Sequence, residues 1–228
     1  MLKAFQSLDK NDYDVSILEA HRYAIANEYR NNIKAYQEHM DSLPDSISSF
    51  DAVRMNNHNI TANKPIKTLR PYPAYAEKWT SSWIAYNSKF YEPVKIYFPI
   101  TYEILNSFEN IFYAHFSSIE PGGRIKPHIG EAKENISRSQ WCFISPKNTD
   151  KCFISASETL DDNTEVDIFT YSENASFKFE DDKYWHWVEN NTDEERVVLL
   201  IDYWQDMSKK YIVDDYLYYR DVSKGFSL

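Results

Sequence analysis

Phe116-Ser117-Ser118-Ile119-Glu120-Pro121-Gly122-Gly123-Arg124-Ile125-Lys126-Pro127-His128-Ile129-Gly130 is the stretch from which the rest of the chain is read. It holds two of the four glycines side by side, which marks a tight turn. Pro127 keeps its predecessor extended, so His128 emerges from a fixed strand edge. A second segment, 179–204, carries His186, Arg196 and an apolar run from Val197 to Ile201. Around these two segments the pattern is that of short strands, at 111–119, 138–145, 152–156, 166–171, 176–179 and 196–204. Polar turns such as 147–150 and 160–163 separate them. Regular short strands with turn-rich breaks predict a mainly β chain, a barrel or sandwich of the jelly-roll kind.

Upstream the period changes. Leu18, Ile25, Tyr29, Ile33 and Tyr36 fall on one stripe of a helix spanning 12–41, a face suited to packing on a sheet. Asp12 or Asp14 caps its start, and Pro44 bounds its end. Residues 44–75, with Pro65, Pro71 and Pro73, read as a connector. The aromatic stretch that follows, with Trp79, Trp83, Phe90, Tyr91, Tyr97 and Phe98, reads as helical over 76–90 and again over 100–109. Its rings read as core first and as the lining of a substrate mouth second. The expected organisation is a helical and connector region over 1–95, a β core over 96–206, and a tail over 207–228. The tail either covers the barrel mouth or meets a second subunit in a homodimer.

Composition narrows the function. A net charge of -10, from 35 acidic against 25 basic residues, disfavours nucleic acid and anionic membrane surfaces as partners. No apolar run approaches the about 18 residues of a membrane span, and the first residues lack a signal-like apolar stretch. A cytoplasmic location is expected, with Cys142 and Cys152 as buried thiols on neighbouring strands and not a disulfide.

The chemistry concentrates in few residues. Of the six histidines, His128 and His186 sit at strand edges within apolar β pattern. Arg196 opens an apolar strand with no acidic residue inside the run. A guanidinium there is costly without a carboxylate partner, which a distant Asp or Glu or a bound carboxylate ligand can supply. In these segments the chain resembles the aspartyl/asparaginyl β-hydroxylase family of iron(II)- and 2-oxoglutarate-dependent oxygenases. Ser117, Pro121, Gly122, Pro127, His128 and Gly130 match its first motif. Phe179, Asp181, His186, Arg196, Asp202 and Trp204 match its second, with one extra residue before the histidine. The resemblance covers about 95–206 and implies a double-stranded β-helix core of the jelly-roll or cupin kind, with the N-terminal helices packed on its sheet.

The resemblance also implies roles. His128 and His186 bind Fe(II). Arg196, assisted by Ser117, pairs with the far carboxylate of 2-oxoglutarate. Arg138 and Gln140 approach the carboxylate beside the keto group. Arg138 stands one position beyond the family spacing, and Gln140 replaces the family's second histidine. Gly130 occupies the place where most such enzymes carry a carboxylate ligand. That vacancy is shared with halogenases, in which chloride enters it. Glu131 points to the other side of an extended strand. The implied reaction consumes O2 and 2-oxoglutarate, releases succinate and CO2, and hydroxylates an unactivated carbon of a small molecule: an amino acid, a peptide or a natural-product intermediate. A halogenase and a non-catalytic jelly-roll binding module are the alternative readings.

Overall fold

The computed structural model describes residues 3–9, 12–43, 76–86, 88–130 and 135–209. The expected connector at 44–75, Glu131 and most of the tail lie outside the described residues.

Among the described residues, ten strands and four α-helices follow one another as β1 (Phe5–Gln6), α1 (Val15–Ala20), α2 (Arg22–Ser42), β2 (Ala76–Tyr86), β3 (Lys89–Phe90), α3 (Glu92–Tyr97), α4 (Pro99–Asn106), β4 (Ile111–His128), β5 (Ile136–Ile144), β6 (Cys152–Ser157), β7 (Asp167–Thr170), β8 (Ser176–Phe179), β9 (Trp185–Asn190) and β10 (Arg196–Trp204). The strands hydrogen-bond in the order β1-β8-β5-β10-β4-β9-β6-β7, with β2 on β4 and β3 on β2. Every pairing is antiparallel. The chain is mainly β, a near-closed antiparallel jelly roll of the cupin kind.

Strand β4 joins the two layers. Its first half pairs with β10 from Ile111 to Ile119, and its end pairs with β9, with His128 opposite His186. Between them Gly122 takes a φ of 70°, a conformation natural to glycine. A Cβ on Gly123 would meet Ile119 Cγ2 at 2.7 Å and Glu120 O at 2.9 Å. The buried Asn190 braces this bend, donating to Ile119 O, Glu120 O and Glu194 O at 3.0, 3.2 and 2.8 Å.

Alternation along the strands sorts two cores. Phe116, Trp141, Phe143, Val197, Leu199, Ile201 and Tyr203 face the helices and pack with Leu18, Ile25, Tyr29 and Tyr36. Ile119, Cys142, Phe177, Phe179 and Val198 face the barrel interior. Strand β10 is therefore buried along its whole length. The two cysteines are buried and free.

The single helix expected over 12–41 is two, joined at His21. Asp14 caps the first, its Oδ1 accepting from Ser16 N at 3.1 Å. The helical expectation at 76–90 is overturned: 76–86 is β2, paired with β4 from Ala76↔Ile125 to Ala85↔Ala114. Trp79 and Trp83, four apart, imitate a helix face. The intervening Thr80, Ser81 and Ser82 favour a helix poorly, and the long partner strand supplies their backbone hydrogen bonds. Strand β4 also runs nine residues further than expected, to His128. The segment around His186 forms a strand of its own, β9. The sheet thus takes three strands, β1, β2 and β3, from the region expected to be helix and connector.

Candidate metal centre

His128 ends β4 and His186 lies on β9, directly opposite in the antiparallel register. Their ring centroids are 4.0 Å apart. His128 Nδ1 faces Lys126 O at 2.8 Å and His186 Nδ1 faces Tyr184 O at 3.0 Å. A ring nitrogen against a carbonyl can only donate, so Nε2 carries the lone pair in both rings, the arrangement a metal-binding imidazole requires. Burial lowers both pKa values, His128 to about 3 with help from His186, and His186 to about 4. Both are neutral at pH 7. Among the described residues, no cluster of three or more His, Cys, Asp or Glu is arranged to hold a metal.

Gly130 lies beside this pair. Its N–H donates to Asp181 O at 2.7 Å, and a Cβ built on it would fall 2.2 Å from Asp181 Oδ2. The carboxylate of Asp181 thus stands in the space that a side chain at 130 would take. The same carboxylate accepts from Arg138 Nη1 at 2.5 Å. Arg138 also makes a two-pronged contact with the fully buried Asp202, at 2.7 and 2.9 Å. Arg138 is therefore anchored close to the histidines by two carboxylates, and a polar cleft lined by Ser137, Arg138, Asp182 and Gln205 opens beside it.

Arg196 lies deeper, 1% exposed. Its Nη1 donates to Ser117 O at 3.2 Å, and its Cζ sits 4.4 Å from the centroid of the Tyr171 ring. Its Nε is buried with no hydrogen-bond partner, and no carboxylate pairs with it among the described residues. Ser117 Oγ accepts from Trp79 Nε1 at 2.9 Å, which leaves its hydrogen to donate elsewhere. Gln140 Oε1 accepts from Tyr171 OH at 2.7 Å.

These residues share one interior face. Arg138 and Gln140 alternate with the outward Trp141 on β5, and Arg196 and Asp202 alternate with the outward Val197 and Ile201 on β10. Rings link the two ends of the site. Tyr171 to Phe177 is 6.1 Å between centroids, Phe177 to Phe179 is 5.8 Å, and Phe179 to His186 is 5.1 Å. The fold thus places Ser117, Arg138, Gln140 and Arg196 on one interior face, with His128 and His186 at its end. Sequence reasoning named Trp79 only among the rings of a segment read as helix, without its bond to Ser117, and missed Tyr171, on a coil position after β7. It noted Asp181 only as a motif match; its contact with Gly130 carries no sequence signal.

The arrangement fits a metal ion held by two imidazoles beside an anionic ligand: two lone-pair nitrogens lie at one end, and at the other a buried guanidinium whose Nε has no partner. A family model for aspartyl/asparaginyl beta-hydroxylase matches residues 20–206. Among solved structures, the chain is similar to a prolyl-4-hydroxylase from Pseudomonas putida, at 10% identity and a TM-score of 0.41, over 69% of this chain and 85% of that one. It is also similar to a predicted oxalate decarboxylase from Thermotoga maritima, at 7% identity and a TM-score of 0.36, over 60% and 90%. The Cnp3 cupin domain of Schizosaccharomyces pombe is similar at 10% identity and a TM-score of 0.35, over 60% and 72%. No curated protein sequence matches the chain.

Proposed function

We propose that this chain, which belongs to the aspartyl/asparaginyl β-hydroxylase family, is an iron(II)- and 2-oxoglutarate-dependent dioxygenase that hydroxylates an unactivated carbon of a small molecule. One observation carries the reading. A tautomer-fixed histidine pair lies on the same interior side as a buried guanidinium that has no carboxylate partner among the described residues.

His128 and His186 would hold the metal through Nε2. Arg196 would pair with the far carboxylate of 2-oxoglutarate, where burial strengthens a charge-assisted, two-pronged contact; the Ser117 hydroxyl adds a donor there. Arg138, its fork held by Asp202, and Gln140 would take the carboxylate beside the keto group. The aromatic wall of Phe177 and Phe179 keeps water from the space between. The bound iron and 2-oxoglutarate supply the oxidising chemistry, with O2 consumed and succinate and CO2 released. Asp181 favours hydroxylation over halogenation, because chloride beside Gly130 would meet its carboxylate.

The test is anaerobic reconstitution with Fe(II), then exposure to O2 with 2-oxoglutarate and a panel of amino acids, short peptides and natural-product intermediates. Succinate and a hydroxylated product in equal amounts are expected, and His128→Ala should abolish both. Chlorinated product in chloride buffer would select the halogenase. Absence of both iron binding and succinate would leave a non-catalytic jelly-roll module.

A further inference from the structure

Tyr171 touches both halves of the anion-binding wall. Its backbone N–H donates to Cys152 O at 2.9 Å, which fixes its position beside β6, and its side chain is fully buried. The ring face carries the Arg196 guanidinium, 4.4 Å from the centroid. A cation over a ring face is attracted by the ring's quadrupole and cannot swing away without losing that contact. The hydroxyl donates to Gln140 Oε1 at 2.7 Å. Among the described residues this is the one hydrogen bond made by the Gln140 side chain, and in it Oε1 is the engaged end. With Oε1 engaged by a donor, Nε2 is presented as the donor. An amide turned the other way would offer an oxygen to an incoming carboxylate and repel it. Burial raises the phenol's pKa further above its ordinary value, so the hydroxyl keeps its hydrogen at any working pH.

We propose that Tyr171 is a positioning residue for the cosubstrate. Its ring holds Arg196 for one carboxylate, and its hydroxyl turns Gln140 to donate to the other. The inference rests on the 2-oxoglutarate reading above.

Calorimetric titration of 2-oxoglutarate into protein loaded with manganese(II), a redox-inert stand-in for iron, reads the effect without turnover. Tyr171→Phe keeps the ring over Arg196 and loses only the hydroxyl. Its affinity should fall about fivefold to tenfold, the effect of one hydrogen bond, alongside a modest fall in unfolding temperature because the buried Gln140 Oε1 loses its donor. Gln140→Leu should weaken binding similarly, and Tyr171→Phe should add nothing in that background, because the hydroxyl acts through the amide. Tyr171→Phe binding like wild type, a drop in unfolding temperature at unchanged affinity, or losses that multiply in the double variant each overturn the role of Tyr171 and leave the 2-oxoglutarate reading standing. Failure of the wild type to bind 2-oxoglutarate overturns both.

Discussion

Gly130 and Asp181 are joined by two contacts of different kinds: a hydrogen bond from the Gly130 N–H to the Asp181 carbonyl, and a carboxylate that fills the place of a missing side chain. A methyl group at 130 has to displace that carboxylate, which Arg138 holds at 2.5 Å. Gly130→Ala should therefore lower stability by roughly 1–3 kcal/mol, the scale of overpacking a filled site, and weaken metal binding. The double variant Gly130→Ala, Asp181→Ala should recover much of the stability in urea unfolding; no recovery would place the strain elsewhere. The cysteines give a second test. Burial pushes the Cys142 thiol up to about 12 and raises Cys152 as well, so neither is a thiolate at pH 8. Alkylation at pH 8 should label neither in the native protein and both after unfolding.

The histidines extend this to pH. In the folded, metal-free protein they titrate at about 3 and about 4, against an ordinary value of 6.5. The unfolded chain therefore binds more protons across that window. Stability is full above pH 6.5 and is lost as the pH falls through it toward 4. The unfolding temperature of the metal-free protein should drop on acidification more steeply in wild type than in His186→Gln. Parallel curves would show that His186 is not held neutral.

At the scale of elements, α2 connects the helical layer to the site-bearing strands. Tyr29 packs edge-on against Phe116 and Phe143, at 5.1 and 5.7 Å between ring centroids, directly behind the strands that present Ser117 and Cys142 inward. Glu28 reaches across to the start of α4, accepting from Ile100 N, Thr101 N and Thr101 Oγ1 at 2.7, 3.0 and 2.8 Å. A carboxylate there satisfies exposed helix N–H groups and meets the positive end of the helix dipole. Glu28→Ala should cost about 2 kcal/mol in urea unfolding while 2-oxoglutarate affinity stays within about twofold, because Glu28 touches nothing in the interior wall. The strands themselves divide into legible and illegible ones. Strands β8 and β10 have the bounds their sequence predicts, β8 from its alternation and β10 from its continuous apolar run. Strand β2 was misread because its register shifts between Glu77 and Trp79 and between Trp83 and Ala85, which breaks the period of two that marks a strand.

At the scale of the molecule, the site exists because one strand serves both layers. Strand β4 carries Ser117 in the layer with β10 and His128 in the layer with β9, with the Gly122-Gly123 bend between them. The short β1 closes the far edge on β8, its Phe5 ring packed against Phe169, Phe177 and Phe179. No helix among the described residues is long and apolar enough to cross a membrane.

The sequence by itself determined that the chain is mainly β and which family's motifs it carries. Strand pattern and motif spacing are local properties of the chain, so these features were readable before any pairing was known. What only the tertiary structure decided is who meets whom. The opposition of His128 and His186, the filling of Gly130's empty side by Asp181, the anchoring of Arg138 by Asp202, and the placing of Tyr171 between Arg196 and Gln140 all join segments distant in the chain. Such contacts depend on register and on bulges, and these are settled by hydrogen bonding between strands, not by the order of residues within one.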